Sequence, residues 1–152
     1  MSAPLPSDRP AAPFLLRERV RWADVDHVQI MRFSAYTRLL ELAEQEFFRD
    51  LGFPYDAMFE APTVWMPRRR LEIDYLGPAR IDDELELATW IGRVGERSYT
   101  MRVDVGQVRS GQRIAAMSLA VVCVDVQSFR PVPIPEAWRA RVLAGRGDSP
   151  TD

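Results

Sequence analysis

The chain has 152 residues, enough for one compact domain with a sizeable core. Its 47% hydrophobic and 28% charged residues are those of a globular protein, and a net charge of −2 gives no basic field to recruit nucleic acid. All 20 basic residues are arginine, and a single cysteine, Cys123, excludes an intrachain disulfide framework and a cysteine-built zinc site. No apolar run approaches the ~20 residues that span a membrane, and the start MSAPLPSDRPAAP lacks a signal peptide's apolar core, so the expected compartment is the cytoplasm.

Residues 1–13 carry four prolines and read as a disordered N-terminal arm. Residues 14–144 form one domain, and 145–152, GRGDSPTD, read as a flexible tail in which the RGD triplet is a chance pattern. Leu16 to Ala23 alternate, with Leu16, Val20 and Trp22 on one face and Arg17, Arg19 and Arg21 on the other, which predicts a half-buried strand. Tyr36, Leu39, Leu40, Ala43 and Phe47 then follow a helical stripe. Ser34 is placed to cap that helix and Gly52 to end it, with Arg38, Glu41, Glu44 and Glu46 expected on its solvent face.

Further strands are predicted from alternation at 70–75, 84–91 and 99–105, and 114–126 is apolar on nearly both faces, as in a central strand covered on both sides. Gly92–Gly95 and Arg109–Arg113 have the composition of hairpin connections, so the last three strands are expected to form an antiparallel meander. Pro131, Pro133 and Pro135 lead into a short helix carrying Trp138 and Val142. One helix cannot cover both faces of a five-stranded sheet. Either the sheet wraps around the helix or a partner subunit covers the remainder.

The stretch VRWADVDHVQIMRFSAY, residues 20–36, sets Asp24, Asp26 and the chain's one histidine, His27, just ahead of the long helix. That order holds a carboxylate beside a helix N-terminus, where a carbonyl can be polarised. Asp26 has the chemistry to activate water or to attack a carbonyl directly; equally, an aspartate before a helix often just satisfies the N–H groups of a turn. By spacing alone the turn role is favoured. Asp24 is expected to hold the turn, through hydrogen bonds or an arginine. His27 points away from Asp26 if the chain there is extended, and reads as a local or interface histidine.

Together with the helix ending RDLGFPY, the segment WMPRRRLEIDYLGPARIDDELEL and the later AVVCVD, this stretch resembles the hotdog-fold acyl-CoA thioesterases of the 4-hydroxybenzoyl-CoA thioesterase type, from about Arg19 to Val142. Trp22, Asp24, Asp26 and Tyr36 match the family's aromatic, Asp-x-Asp and helix-starting tyrosine without a gap. Gln29 stands where the family has a glycine, and Phe33 or a neighbour where a His or Asn often precedes the helix. The resemblance implies an α+β hotdog fold, a long central helix wrapped by a curved antiparallel five-stranded sheet, with a short C-terminal helix.

It also implies hydrolysis of acyl-CoA thioesters to free acid and coenzyme A. Asp26 would be the catalytic carboxylate, and a backbone N–H of Phe33, or less favourably Ser34, the carbonyl donor. The acyl group would lie in a tunnel between subunits of a homodimer or homotetramer, and the phosphates of coenzyme A on surface basic groups. Arg68, Arg69 and Arg70 are the candidates for the phosphates, although a salt-bridged edge fits that run equally well. Tyr36 and Trp65 are assigned to substrate binding. Tyr55, Met58, Phe59 and Met66 fit a tunnel wall, or ordinary packing. Cys123 reads as a small core residue. No metal or cofactor is expected beyond the coenzyme A of the substrate. Two other readings stay open: a non-catalytic acyl-CoA or acyl-carrier binding module, and a hotdog hydratase, which the adjacent Asp26 and His27 fit poorly.

Overall fold

In a computed structural model of the chain, residues 3–60 and 62–147 are described; the last five residues of the expected tail lie outside them. Strand β1 (Phe14–Arg19) alternates in burial and pairs antiparallel with β4 (Glu84–Val94). It ends before the expected Ala23. The Asp24 carboxylate accepts the Arg21 N–H at 2.8 Å and the Asp24 N–H bonds Arg21 O at 2.9 Å, closing a 3₁₀ turn over Trp22–Asp24. A side chain bonding its own backbone competes with the sheet ladder, and here it wins. Trp22, expected in the buried face, is therefore 80% exposed.

Helix α1 (Tyr36–Asp50) buries Tyr36, Leu39, Leu40, Ala43, Phe47 and Phe48 against the inner face of the sheet. It ends as expected, with Gly52 at a φ of +74° and its N–H on Arg49 O at 3.0 Å. Glu44 departs from the expected solvent face: it is 4% exposed. Leu40, Glu44 and Phe48 are spaced i, i+4, i+8, so Glu44 stands on the buried stripe, where Arg68 pairs with it. A short helix α2 (Tyr55–Phe59) and strand β2 (Val64–Trp65) follow, then β3 (Arg68–Tyr75).

The sheet order is β1-β4-β5-β6-β3, with β5 (Ser98–Gln107) and β6 (Arg113–Val122) completing an antiparallel meander with β4. That connectivity makes β5 the middle strand, whereas the run from 114 was expected there. The run also breaks at Cys123, and β7 (Val124–Asp125) turns away to pair with β2. Leu85, Leu87, Ile91, Met101, Val103, Met117 and Leu119 face α1, and each such buried side chain contributes about 1.5–3 kcal/mol. Helix α3 (Glu136–Ala144) seats Trp138 and Val142 at the far end of this core.

Two features of the sheet matter for function. Strand β3 lies at an edge, and its inward-facing Leu71 and Tyr75 are 40% and 50% exposed. On the outer face, Trp90 and Arg102 stand opposite each other and are nearly inaccessible. Residues 5–9, within the expected N-terminal arm, lie over that face: Arg102 donates to Pro6 O at 2.7 Å and to Asp8, Arg113 donates to Leu5 O, and Arg9 reaches Glu86.

Candidate active site

The loop between β1 and α1 folds back on itself, with Val25 and Met31 bridging antiparallel. Gln29 donates its N–H to Asp26 O at 2.9 Å and Asp26 donates to Ile30 O at 3.1 Å. Gln29 itself adopts a φ of +64°. A left-handed residue is what a glycine supplies at that point, so the turn is made despite the side chain, at a cost of about 1–2 kcal/mol.

The two aspartates have separate surroundings. Asp24 is buried and takes the Arg38 guanidinium, Nε at 2.8 Å on one oxygen and Nη2 on the other, while Arg38 also reaches Glu18 at 3.1 Å. Burial pushes the Asp24 carboxyl up, but the bonds from Arg38 and the Arg21 N–H outweigh it and hold it below its ordinary range. This network pins the loop to α1. Asp26 is half-buried; one oxygen accepts the Val28 N–H at 2.9 Å and the other has no protein partner among the described residues. His27 is exposed.

Ser34 does not cap α1. The helical run begins one turn earlier, as a 3₁₀ segment over Phe33–Ala35 with Arg32 at its N-cap. The reason is Ala35, whose N–H bonds Arg32 O at 3.0 Å. Phe33 and Ser34 are thus the first two helical residues, and their N–H groups have no acceptor within the run. Phe33 O accepts the Tyr75 hydroxyl at 2.9 Å, and the Tyr75 ring meets Tyr36 edge-on at 5.1 Å.

Three cavities divide the expected site residues. The first, about 680 Å³, is lined by Asp26, Phe33, Ser34 and Tyr36, together with Ile30, Arg32 and Tyr75. The second, about 430 Å³, has Trp65 and Arg68 in its wall, with Glu44, Tyr55, Met58, Phe59 and Met66. The third, about 380 Å³, is formed by Arg69, Arg70 and Arg93 with Ser98 and Thr100. The arginine run is therefore split. A bulge between Arg68 and Arg70 leaves Arg68 inward on Glu44, while Arg69 and Arg70 line the third cavity and Arg70 also pairs with Glu72.

Cys123 is buried, burial pushes its thiol up, and it donates weakly to Pro133 O at 3.8 Å. Among the described residues no three His, Cys, Asp or Glu side chains converge as a metal site. No helix among them is long and apolar enough to cross a membrane. Glu44, Tyr75 and Arg93 were not singled out as site residues by sequence reasoning. Only Glu44 left a usable signal there, its i, i+4 spacing with Leu40 and Phe48.

The sequence pattern of the thioesterase-like superfamily matches residues 20–142, from just after β1 into α3. The chain belongs to that superfamily. It is 26% identical over 122 residues to the acyl-CoA thioesterase YbgC of Haemophilus influenzae, covering 80% of this chain and 88% of the relative. The acyl-CoA thioester hydrolase YbgC of Escherichia coli O157:H7 is 28% identical over 121 residues, 78% and 87% of the two chains. A thioesterase superfamily structure from Jannaschia superposes with a TM-score of 0.82 at 27% identity, over 93% of this chain and 99% of that one. A 1,4-dihydroxy-2-naphthoyl-CoA thioesterase from Synechocystis shares the fold with a TM-score of 0.81 at 18% identity, over 87% and 96%. The hotdog architecture of these thioesterases is the architecture of this chain.

Proposed function

We propose that the protein hydrolyses acyl-CoA thioesters in the cavity shared by Asp26 and the Phe33–Ala35 helix start. One observation carries the reading: a carboxylate with one oxygen unengaged among the described residues lines the same cavity as two helix-terminal N–H groups that have no acceptor within their helix. Membership of the thioesterase-like superfamily supports the reaction class.

The chemistry follows from those groups. The thioester carbonyl oxygen accepts from the Phe33 N–H, with Ser34 beside it, where the helix N-terminus favours developing negative charge. Asp26 takes a proton from water as the water oxygen bonds to the carbonyl carbon; alternatively its oxygen attacks first and water then cleaves the anhydride. The tetrahedral adduct collapses, the C–S bond breaks, and the coenzyme A thiolate leaves without a strong acid to protonate it. The proton held by Asp26 ends on the thiolate or in solvent. The Val28 N–H holds the Asp26 carboxylate in place throughout.

The assembly reading is a homodimer through β3. The edge of that strand is unpaired among the described residues, and Leu71 and Tyr75 expose apolar surface beside it. Antiparallel pairing about the strand centre keeps both helices on one side of a continuous sheet. It also sets Arg68 of one protomer beside Tyr75 of its partner, at opposite ends of a strand ~23 Å long. The second cavity of one subunit then adjoins the Asp26 cavity of the other, giving one tunnel for the acyl group with Tyr36 and Trp65 in its walls. The third cavity, with Arg69 and Arg70, receives the phosphates of coenzyme A.

A thiol-release assay over a panel of acyl-CoA esters tests the activity, and light scattering at micromolar concentration tests the assembly. The expected results are one thiol released per acid formed, and a dimeric mass or a multiple of it. A folded protein that binds acyl-CoA but releases no thiol from any ester would make it a binding module. A monomeric mass with full activity would end the shared tunnel.

A further inference from the structure

The three backbone N–H groups that open the helical run are not equivalent. The Ala35 N–H is spent on Arg32 O at 3.0 Å. Those of Phe33 and Ser34 have no acceptor within the run, and both residues border the Asp26 cavity. Each N–H belongs to the same peptide unit as the carbonyl of the residue before it. A hydrogen bond accepted by that carbonyl polarises the unit and makes its N–H a stronger donor. The Phe33 N–H shares its unit with Arg32 O, which accepts from Ala35. The Ser34 N–H shares its unit with Phe33 O, and there the donor is the Tyr75 hydroxyl at 2.9 Å. That bond crosses from the last residue of the edge strand β3 to the helix start, 42 residues away in sequence.

The Tyr75 ring is set for this contact. It stands edge-on to Tyr36 at 5.1 Å, and Tyr36 is buried on α1. Burial does not demand the bond, because Tyr75 is half exposed and water could serve its hydroxyl instead. A phenol has one proton to donate. With that proton on Phe33 O, Tyr75 borders the cavity with no donor left for the substrate, and its influence passes through the peptide.

We infer that Tyr75 is a positioning residue that orients and polarises the Phe33–Ser34 peptide, making the Ser34 N–H a second donor to the thioester carbonyl alongside that of Phe33. The inference rests on the hydrolysis reading and deepens it. Negative charge on the carbonyl oxygen grows as the tetrahedral adduct forms, so a stronger donor acts more on the transition state than on the bound ester. Losing a whole oxyanion donor costs about 10²–10³ in kcat. Losing only its polarisation costs less, about fivefold. Thr37 supplies the matched comparison. Its hydroxyl donates to Ser34 O at 2.7 Å, but the N–H of that peptide belongs to Ala35 and is already spent on Arg32 O. The same kind of bond, one residue along, reaches no free donor.

The experiment measures kcat and KM for thiol release by wild type, Tyr75→Phe and Thr37→Val, with light scattering to compare their assembly. Infrared spectra are recorded for a bound acyl-CoA isotope-labelled at the thioester carbonyl, in an Asp26→Asn background so that the ester persists. Tyr75→Phe should lower kcat by about fivefold with KM within about twofold, and should move the carbonyl stretch to higher frequency. Thr37→Val should leave both unchanged. A carbonyl stretch that does not move in Tyr75→Phe overturns the inference, and so does an unchanged kcat in the active enzyme. Equal losses in the two variants overturn it too, since each hydroxyl would then only fasten the helix start. A Tyr75→Phe protein that no longer folds or assembles has the same meaning. If wild type hydrolyses no ester, the hydrolysis reading fails, and the carbonyl stretch of the bound ester alone decides for Tyr75.

Discussion

Asp24 and Asp26 are two residues apart, yet Arg38 takes only the first. Its Nε lies 2.8 Å from Asp24, while Asp26 keeps one oxygen without a partner among the described residues. The DVD stretch thus separates a fastening carboxylate from an available one. The turn between them and the helix is closed by Gln29 at a φ of +64°, which directs the chain from Asp26 back to Met31 and the first helical residues.

Asp24→Asn should lower stability more than it lowers the chemical rate. It weakens two charge-assisted bonds in a buried site, though Arg38 keeps Glu18, so the loss is about 1–3 kcal/mol in urea unfolding. Wild type should also be acid-sensitive. Burial raises the pKa of both Asp24 and Glu18, but it is outweighed at Asp24 by the bonds from Arg38 and the Arg21 N–H and at Glu18 by those from the Arg19 N–H, Arg21 and Arg38, and both end below their ordinary values of 3.8 and 4.5. A carboxylate with a depressed folded pKa stabilises above its unfolded value, and that stability drains away as pH falls through the folded one. Unfolding midpoints should therefore be flat above about pH 5 and fall steadily below 4, and Asp24→Asn should flatten the fall. An equally steep fall in the variant would remove Asp24 from the account.

Gln29→Gly should stabilise the protein by about 0.5–1 kcal/mol. It relieves the left-handed strain, and the added freedom of the unfolded chain returns part of the gain. Chemical denaturation reads this directly, and a destabilised variant would mean that the Gln29 side chain contributes more than its backbone costs.

Removing residues 1–13 should lower the thermal midpoint by a few degrees, about 1–2 kcal/mol, because Arg102 loses Pro6 O and Asp8, Arg113 loses Leu5 O while keeping Asp104, and Trp90 loses its cover. An unchanged midpoint would show that the arm does not dock on the sheet in solution.

Neutralising Arg69 and Arg93 together should raise KM for an acyl-CoA more than for the matching acyl-pantetheine, and the difference should shrink as salt rises. Equal effects on the two substrates would place the nucleotide elsewhere.

Much of this was legible in the residues. The 36–47 stripe, the alternating strands and Gly52 each follow from local periodicity or backbone freedom, whereas the roles of Asp26 and Phe33 come from the resemblance and stand as proposals. What was not legible depended on tertiary partners. Trp22 followed the alternation of β1 but left the sheet when Asp24 turned back onto Arg21. Glu44 looked solvent-facing because glutamate normally is, and only Arg68, 24 residues away, makes its burial tolerable. The three arginines read as one patch until a bulge in β3 divided them. Arg93 joins Arg69 and Arg70 through sheet pairing that no local pattern encodes.

The central claim is that Asp26 supplies the carboxylate for thioester hydrolysis. Asp26→Asn keeps the shape and the bond from Val28 but removes basicity and nucleophilicity. Steady-state thiol release should show kcat reduced by at least ~10²-fold with KM little changed, in a variant whose fold and assembly match wild type. A folded Asp26→Asn protein that turns over acyl-CoA nearly as fast as wild type would contradict it, leaving the DVD stretch as a turn ahead of the helix and nothing more.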